Sequence, residues 1–244
     1  MTPDDFVNAI SDPLQSIGAL HYFDPAARVA AEALGLDLFR FYFAGRGGVL
    51  GPVSSEVLQS AFGYFDPPLA NKMWSTSKER CDVTEAGAAQ LGVAYTIGER
   101  DLENVEGLGE AASALGKLTS SVDLAGLALF AAFAGQPIPE SEPAAFMHQT
   151  ILYRELRGSV HLAAISATGC RSRAAHQIKR PDDLEMFGYK EPLEIPDGER
   201  SLYESVEPLT NATMVVHASQ SLSDTERKQI AATVEAAHAA LFGS

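Results

Sequence analysis

The chain is poor in cysteine, in positive charge, in long apolar runs and in β-branched clusters, and each shortage excludes something. The two cysteines, Cys81 and Cys170, lie far apart and outside any metal-ligand spacing. Two reduced thiols in a cytosolic protein are expected, with a single disulfide as the alternative. Lys and Arg number 18 against 32 Asp and Glu, a formal net charge of −14. A surface so acidic repels phosphate backbones and disfavours nucleic-acid binding unless a basic patch is segregated. The most apolar stretch, roughly Leu124 to Ala134, is far short of the ~20 residues that span a bilayer. It reads as a buried helix. The start, Met1-Thr2-Pro3-Asp4-Asp5-Phe6, lacks the basic segment and apolar run of a signal peptide, so a cytoplasmic, membrane-free protein is expected. Strand signals are confined to Val93–Ile97 and Thr213–Val216, and either fits equally inside a helix or an extended connector.

Catalytic signatures are missing too. There is no Gly-x-Ser-x-Gly and no His-Glu-x-x-His. Gly45-Arg46-Gly47-Gly48 follows a helical stretch and lacks the Lys-Ser/Thr ending of a phosphate loop. No cofactor is indicated.

What remains is an ordinary globular balance, 46% hydrophobic and 20% charged, over 244 residues. Helical signals dominate, and the expected class is all-α: a multi-helix bundle with a long irregular C-terminal arm. The expected division is a helical core over 1–178, a Pro-rich arm or lid over 179–208, and a C-terminal helix over 209–244 packing on the core or on a partner subunit, which leaves a homodimer open. His21-Tyr22-Phe23-Asp24-Pro25 is echoed 42 positions later by Gly63-Tyr64-Phe65-Asp66-Pro67. Asp caps free N–H groups and Pro suits the first helical position, so helices should begin near Pro25 and Pro67. Further helices are expected over Leu36–Ala44, closed by a Gly-rich turn at 45–48, then from the Pro52–Glu56 stretch through roughly Phe62, and over Lys78–Gln90 and Ser121–Ala134. Asp101–Lys117 reads as solvent-facing. A stiff connector over 135–143 precedes a central helix, which Gly158-Ser159 offers to break before a second helix over Val160–His176. Ser223-Asp224-Thr225-Glu226 is a capping box for a final helix to Phe242.

The central helix carries the densest chemistry. Residues 148–161 hold two Arg, two His, one Glu, one Thr and one Tyr between apolar runs. At 100° per residue Thr150, Arg154, Arg157 and His161 share a stripe, with His148, Glu155 and Ser159 roughly opposite. Cations and imidazole on such a stripe suit a carboxylate or phosphate ligand. The competing readings are an ion network, with Arg154 and Arg157 paired to acidic neighbours and Glu155 joined to Arg154 between helices, and an oligomer interface. His21 is a candidate to face the same pocket, with a satisfied structural histidine as the alternative, and Tyr42 and Arg46 are candidates for its second wall. A metal held by His148, Glu155 and His161 is disfavoured because His161 points away from the other two on a straight helix, so no metal is expected.

Tyr22-Phe23-x-Pro25, Ala33-Leu34-Gly35-Leu36, Tyr42-Phe43-Ala44-Gly45-Arg46, Leu50-Gly51-Pro52-Val53, Gly63 to Pro67, Ala134-Gly135-Gln136-Pro137 and the pattern from His148 through Arg154-Glu155-x-Arg157-Gly158 to His161 stand in this order. In them, over roughly residues 17–176, the chain resembles an actinobacterial family of unassigned function, usually described as helix-turn-helix-containing. Family members carry an acidic residue after the Arg-Gly, where this chain has Ser159. They also tend to end in a winged-helix-like segment. Here 179–208 is Pro-rich and lacks a helix-turn-helix pattern, which argues against DNA binding. The resemblance implies a shared pocket near Tyr42, Arg46, His148, Arg154 and His161.

The expected function is therefore binding of a small anionic or aromatic metabolite in a polar pocket. In an enzyme version His148 or His161 moves a proton, Glu155 orients it, and Arg154 with Arg157 holds substrate charge, while His21, Tyr42, Arg46 and Thr150 line the pocket. The alternatives are a ligand-responsive transcriptional regulator, or its relative without DNA binding, and a helical interaction or dimerisation module.

Overall fold

A computed structural model describes residues 1–243, and within them the fold is an all-α bundle. The helices are α1 (Pro3–Ile17), α2 (Pro25–Ala33), α3 (Leu38–Gly48), α4 (Ser55–Phe62), α5 (Pro67–Lys78), α6 (Val83–Asp101), α7 (Leu108–Ser120), α8 (Ala128–Ala134), α9 (Glu142–Thr168), α10 (Ser172–Lys179), α11 (Asp197–Glu204), α12 (Val206–Ser221) and α13 (Asp224–Phe242). The two β-branched clusters lie inside α6 and α12, since tertiary context readily overrides a weak strand preference.

Local signals placed several helix starts correctly. Pro25 and Pro67 open α2 and α5. Asp24 accepts the Ala26 N–H at 2.8 Å. The echoed Asp66 makes no such cap; its own N–H donates to the Phe187 carbonyl at 2.8 Å and fastens the arm. The two copies of the motif therefore share a helix start and differ in tertiary role. Ser223 and Glu226 form the reciprocal box at the start of α13.

Other boundaries differ from the sequence reading. The expected turn at 45–48 is the last part of α3. Its glycines serve contact rather than turning: a Cβ on Gly48 would lie 1.8 Å from the Val83 carbonyl oxygen, and one on Gly45 would lie 2.6 Å from the Gln90 amide. Without side chains there, the backbones of α3 and α6 touch. Of the helix expected over Lys78–Gln90, Lys78 ends α5 and only Val83 onward is helical again, in α6, which Asp82 caps by accepting from the Thr84 N–H. The stretch expected to face solvent over Asp101–Lys117 holds a core helix instead, since α7 buries Leu108, Ala111, Leu115 and Leu118. Only Ala128–Ala134 of the Ser121–Ala134 segment is helical.

The central helix runs unbroken through Gly158, because the residues on either side pack against other elements. It ends at Gly169, whose φ of 80° starts a short turn into α10. α9 is the hub, touching α1, α6, α7, α8 and α12. From Phe146 to Tyr153 every residue of it is buried; beyond Arg154 only one side is. Core side chains include the fully buried Phe6, Phe43, Phe130, Phe146 and Trp74, each contributing roughly 1.5–3 kcal/mol over exposure. The Trp74 indole N–H is satisfied by the Val53 carbonyl at 2.9 Å. Past α10 the arm makes one 3-10 turn, Pro181–Asp183, is otherwise irregular to Ile195, and is then helical in α11. It folds back on its own chain, where Phe187 stacks on Phe65 with centroids 4.4 Å apart.

Candidate functional site

Beside the outer half of α9 lies a cavity of about 680 Å³, within the range of small-molecule sites. Its floor is Arg154, Arg157, Gly158 and His161 of α9. Gly158 helps to make it: a Cβ there would meet nothing within 4 Å. Tyr42 and Arg46 of α3, with Phe62 at the end of α4 and Tyr64 and Phe65 from the turn after it, form an aromatic wall that Phe187 of the arm completes. Asn8, Ser11, Asp12 and Gln15 of α1 and Glu207 and Asn211 of α12 close the polar side. Five basic side chains, Arg46, Arg154, Arg157, Lys179 and Arg180, line it against two acidic ones, Asp12 and Glu207. Carboxylates offset part of that charge: Glu155 faces Arg46 and Arg154, Glu207 faces Arg157 and Lys179, and Asp183 faces Arg180.

Glu155 sits under the floor, 1% exposed at its side chain. Arg46 grips it with two bonds, Nε to Oε1 at 3.2 Å and Nη2 to Oε2 at 2.7 Å. Arg154 donates from Nη1 to the same Oε1 at 2.5 Å and to the Tyr22 hydroxyl at 3.2 Å. Burial pushes the Glu155 carboxyl up, but Arg46 and Arg154 outweigh it and hold it ionised, below its ordinary range. Two guanidiniums, 13% and 19% exposed, thus share one carboxylate. One positive charge is left uncompensated in a poorly solvated place, where an unpaired charge is costly. Aromatic faces offset part of it: Arg46 Cζ lies 4.7 Å from the Phe62 centroid and Arg154 Cζ 5.2 Å from that of Tyr22.

A second cluster adjoins. Arg157 Nη2 donates to Glu207 Oε2 at 2.8 Å and to Asn211 Oδ1 at 2.9 Å, and Lys179 also bonds Glu207. Burial raises the Glu207 carboxyl, yet Lys179 and Arg157 prevail and bring it to about 2. Nη2 of Arg154 and Nη1 of Arg157 have no protein acceptor and are not buried.

The structure gathers five of the expected residues at the cavity: Tyr42, Arg46, Arg154, Arg157 and His161. Glu155 lies beneath and holds Arg46 and Arg154 rather than a histidine. His21, also buried, packs at a tilt against Tyr22 with centroids 4.1 Å apart, and desolvation first, then Arg154, lowers its pKa to about 3. His148 and Thr150 are elsewhere, inside the enclosed half of α9. His148 Nδ1 is 2.7 Å from the Tyr95 hydroxyl, and burial lowers its pKa to about 4. Thr150 Oγ1 has no partner. Among the described residues no three His, Cys, Asp or Glu side chains gather to hold a metal. His148 and His161, 13 positions apart, are separated by about 20 Å of helix. Both cysteines are free. No helix among the described residues is long and apolar enough to cross a membrane.

Sequence reasoning missed Glu207, Thr210, Asn211, Tyr22, Phe187 and His176. Tyr22 had a signal in the echoed motif. The α12 residues had none, since nothing local marks a helix that docks some 50 positions downstream of Arg157.

An all-helical chain with a cation-lined cavity beside its central helix is the class that fold and site define. The chain belongs to a helix-turn-helix family, whose model matches residues 7–191, past the stretch that carried the resemblance and into the arm. No curated protein and no solved structure matches it.

Proposed function

We propose that the protein binds a small aromatic anion in the cavity between α3, α9 and the arm. The observation that carries this reading is the charge imbalance: Arg46 and Arg154 share the single buried carboxylate of Glu155 beside a space of about 680 Å³. A carboxylate guest would complete the charge and take the free Nη groups of Arg154 and Arg157, as guanidiniums do in forked contacts. Tyr42, Phe62, Phe65 and Phe187 supply the flat apolar wall. Native mass spectrometry of the purified chain should find a retained anion, and 2-naphthoate should bind as a surrogate. Arg154→Ala and Arg157→Ala should each weaken 2-naphthoate about tenfold or more, with helical circular dichroism retained. Binding that is absent, or indifferent to both substitutions, would sink the reading.

The family match favours a second reading, a ligand-responsive DNA-binding regulator. α9 and α10 are joined by residues 169–171, a connection of helix-turn-helix length, and Arg171, Arg173, Lys179 and Arg180 flank or lie on α10. Against it, Arg171 pairs with Glu199, Lys179 with Glu207 and Arg180 with Asp183, which leaves little charge for phosphate. Retardation of duplex DNA at physiological salt would favour the regulator, and free migration with and without 2-naphthoate would exclude it.

A further inference from the structure

The imidazole of His161 has its two nitrogens in different situations. Nδ1 is 3.1 Å from the Thr210 hydroxyl oxygen. That hydroxyl donates its own hydrogen to the Val206 carbonyl, 2.8 Å away inside α12. With the hydroxyl hydrogen committed, Thr210 can only accept, so Nδ1 must carry the proton. The other nitrogen, Nε2, then bears the lone pair. It has no protein partner and is not buried, and His161 is part of the cavity floor.

From this geometry we infer that His161, fixed as its Nδ1–H tautomer by Thr210, accepts a hydrogen bond from a hydroxyl of the bound anion, so that the ligand class is a hydroxylated aromatic carboxylate. This rests on the cavity reading above and narrows it. The spacing fits an elongated ligand: His161 follows Arg157 by four positions and Arg154 by seven, about 6 and 10 Å along the axis. A carboxylate on the arginines therefore places the far end of a rigid ring system at Nε2. Thr210 is a positioning residue; it is fully buried and acts only through the ring.

The charged groups around the imidazole are Glu207 of α12, whose Oε1 is 3.9 Å from Nδ1, Lys179 of α10, and Arg157 one turn earlier on α9 itself. Burial, aided by Lys179 and Arg157 and opposed by Glu207, lowers the imidazole to about 4. The ring is neutral at pH 7 and Nε2 is free to accept.

The test compares 6-hydroxy-2-naphthoate with 2-naphthoate, which differ only in the hydroxyl opposite the carboxylate, by fluorescence titration of the full chain at pH 7. The hydroxylated probe should bind about tenfold more tightly, the worth of one well-made hydrogen bond. Its bound emission should move to the naphtholate band, because the excited naphthol passes its proton to Nε2 and regains it in the ground state. In His161→Asn the side-chain amide can keep the Thr210 contact but presents nothing at the Nε2 position, and both the preference and the band shift should vanish. Thr210→Val should diminish both, and Thr210→Ser should restore them. Equal affinity for the two probes, or a preference that survives His161→Asn, overturns the inference while leaving the anion site standing. Failure of both probes to bind overturns the site and the inference together.

Discussion

The two halves of α9 contain similar side chains and put them to different uses. The first half, from Phe146 to Tyr153, is enclosed on all sides. There His148 finds one partner in Tyr95 and Thr150 finds none. The second half, from Arg154 onward, is covered on one side and open on the other, with Gly158 leaving room at the middle. There Arg154, Arg157 and His161 keep donors or a lone pair facing space. A histidine or a threonine in a helix thus becomes part of a site through the gaps its neighbours leave, not through its identity. The contrast also separates two meanings of a low histidine pKa. Desolvation holds both His148 and His161 near 4, yet only His161 offers a nitrogen to a guest.

The sharpest break to that contrast is expected at Glu155. Glu155→Gln keeps shape and removes the only charge that Arg46 and Arg154 share, so unfolding in denaturant should show a loss of about 3–5 kcal/mol. A loss under ~1 kcal/mol would mean that solvent already screens the pair. Acid comes next. The folded chain resists protonation of His21, His148 and His161, whose pKa values sit at about 3, 4 and 4. The unfolded chain takes those protons near pH 6.5. Stability should therefore be full above about 6.5 and fall as pH drops towards 4, by up to roughly 1.4 kcal/mol per unit for each histidine. Glu155 and Glu207 titrate below their ordinary range, and the stability they contribute should likewise be lost as pH falls below about 4.5. A melting temperature that is flat from pH 7 to 5 would contradict the burial of these rings.

Smaller effects sharpen the comparison between the halves. His148→Leu strips the Tyr95 hydroxyl of its partner and should cost about 1–2 kcal/mol. It should leave 2-naphthoate affinity unchanged, because the enclosed half does not meet the cavity; a weakened affinity would join the two halves into one site. Gly158→Ala should stabilise by about 0.5–1 kcal/mol, since α9 gains a better helix former in open space. Gly158→Phe should fill the cavity and abolish probe binding with the fold intact. Retained binding in Gly158→Phe would place the guest elsewhere.

Residue by residue, what could be read in advance follows the reach of the interaction. The stripe of Arg154, Arg157 and His161 follows from helix periodicity, and its neighbours Tyr42 and Arg46 were anticipated as a second wall. Glu155 stands 100° from Arg154 on the helix, and the ion network that competes with the ligand reading is where it sits: the flexible Arg154 stem curls back to meet it and Arg46 arrives from α3. The turn expected at 45–48 failed for a related reason. Glycine permits a left-handed turn and equally permits two helices to touch, and only the presence of Val83 and Gln90 opposite decides between them.

By itself the sequence determined what spans three or four residues: the Asp-Pro starts of α2 and α5, the Ser223–Glu226 box, and the row of cations on α9. Such features rest on contacts within one helical turn and need nothing else folded. Tertiary structure alone decided which of those side chains meet a partner and which meet a void. Glu207 and Asn211 reach Arg157 from some 50 positions downstream, and Arg46 reaches Glu155 across 109. A cavity is the space that distant elements fail to fill, and no stretch of chain carries the record of what is absent beside it.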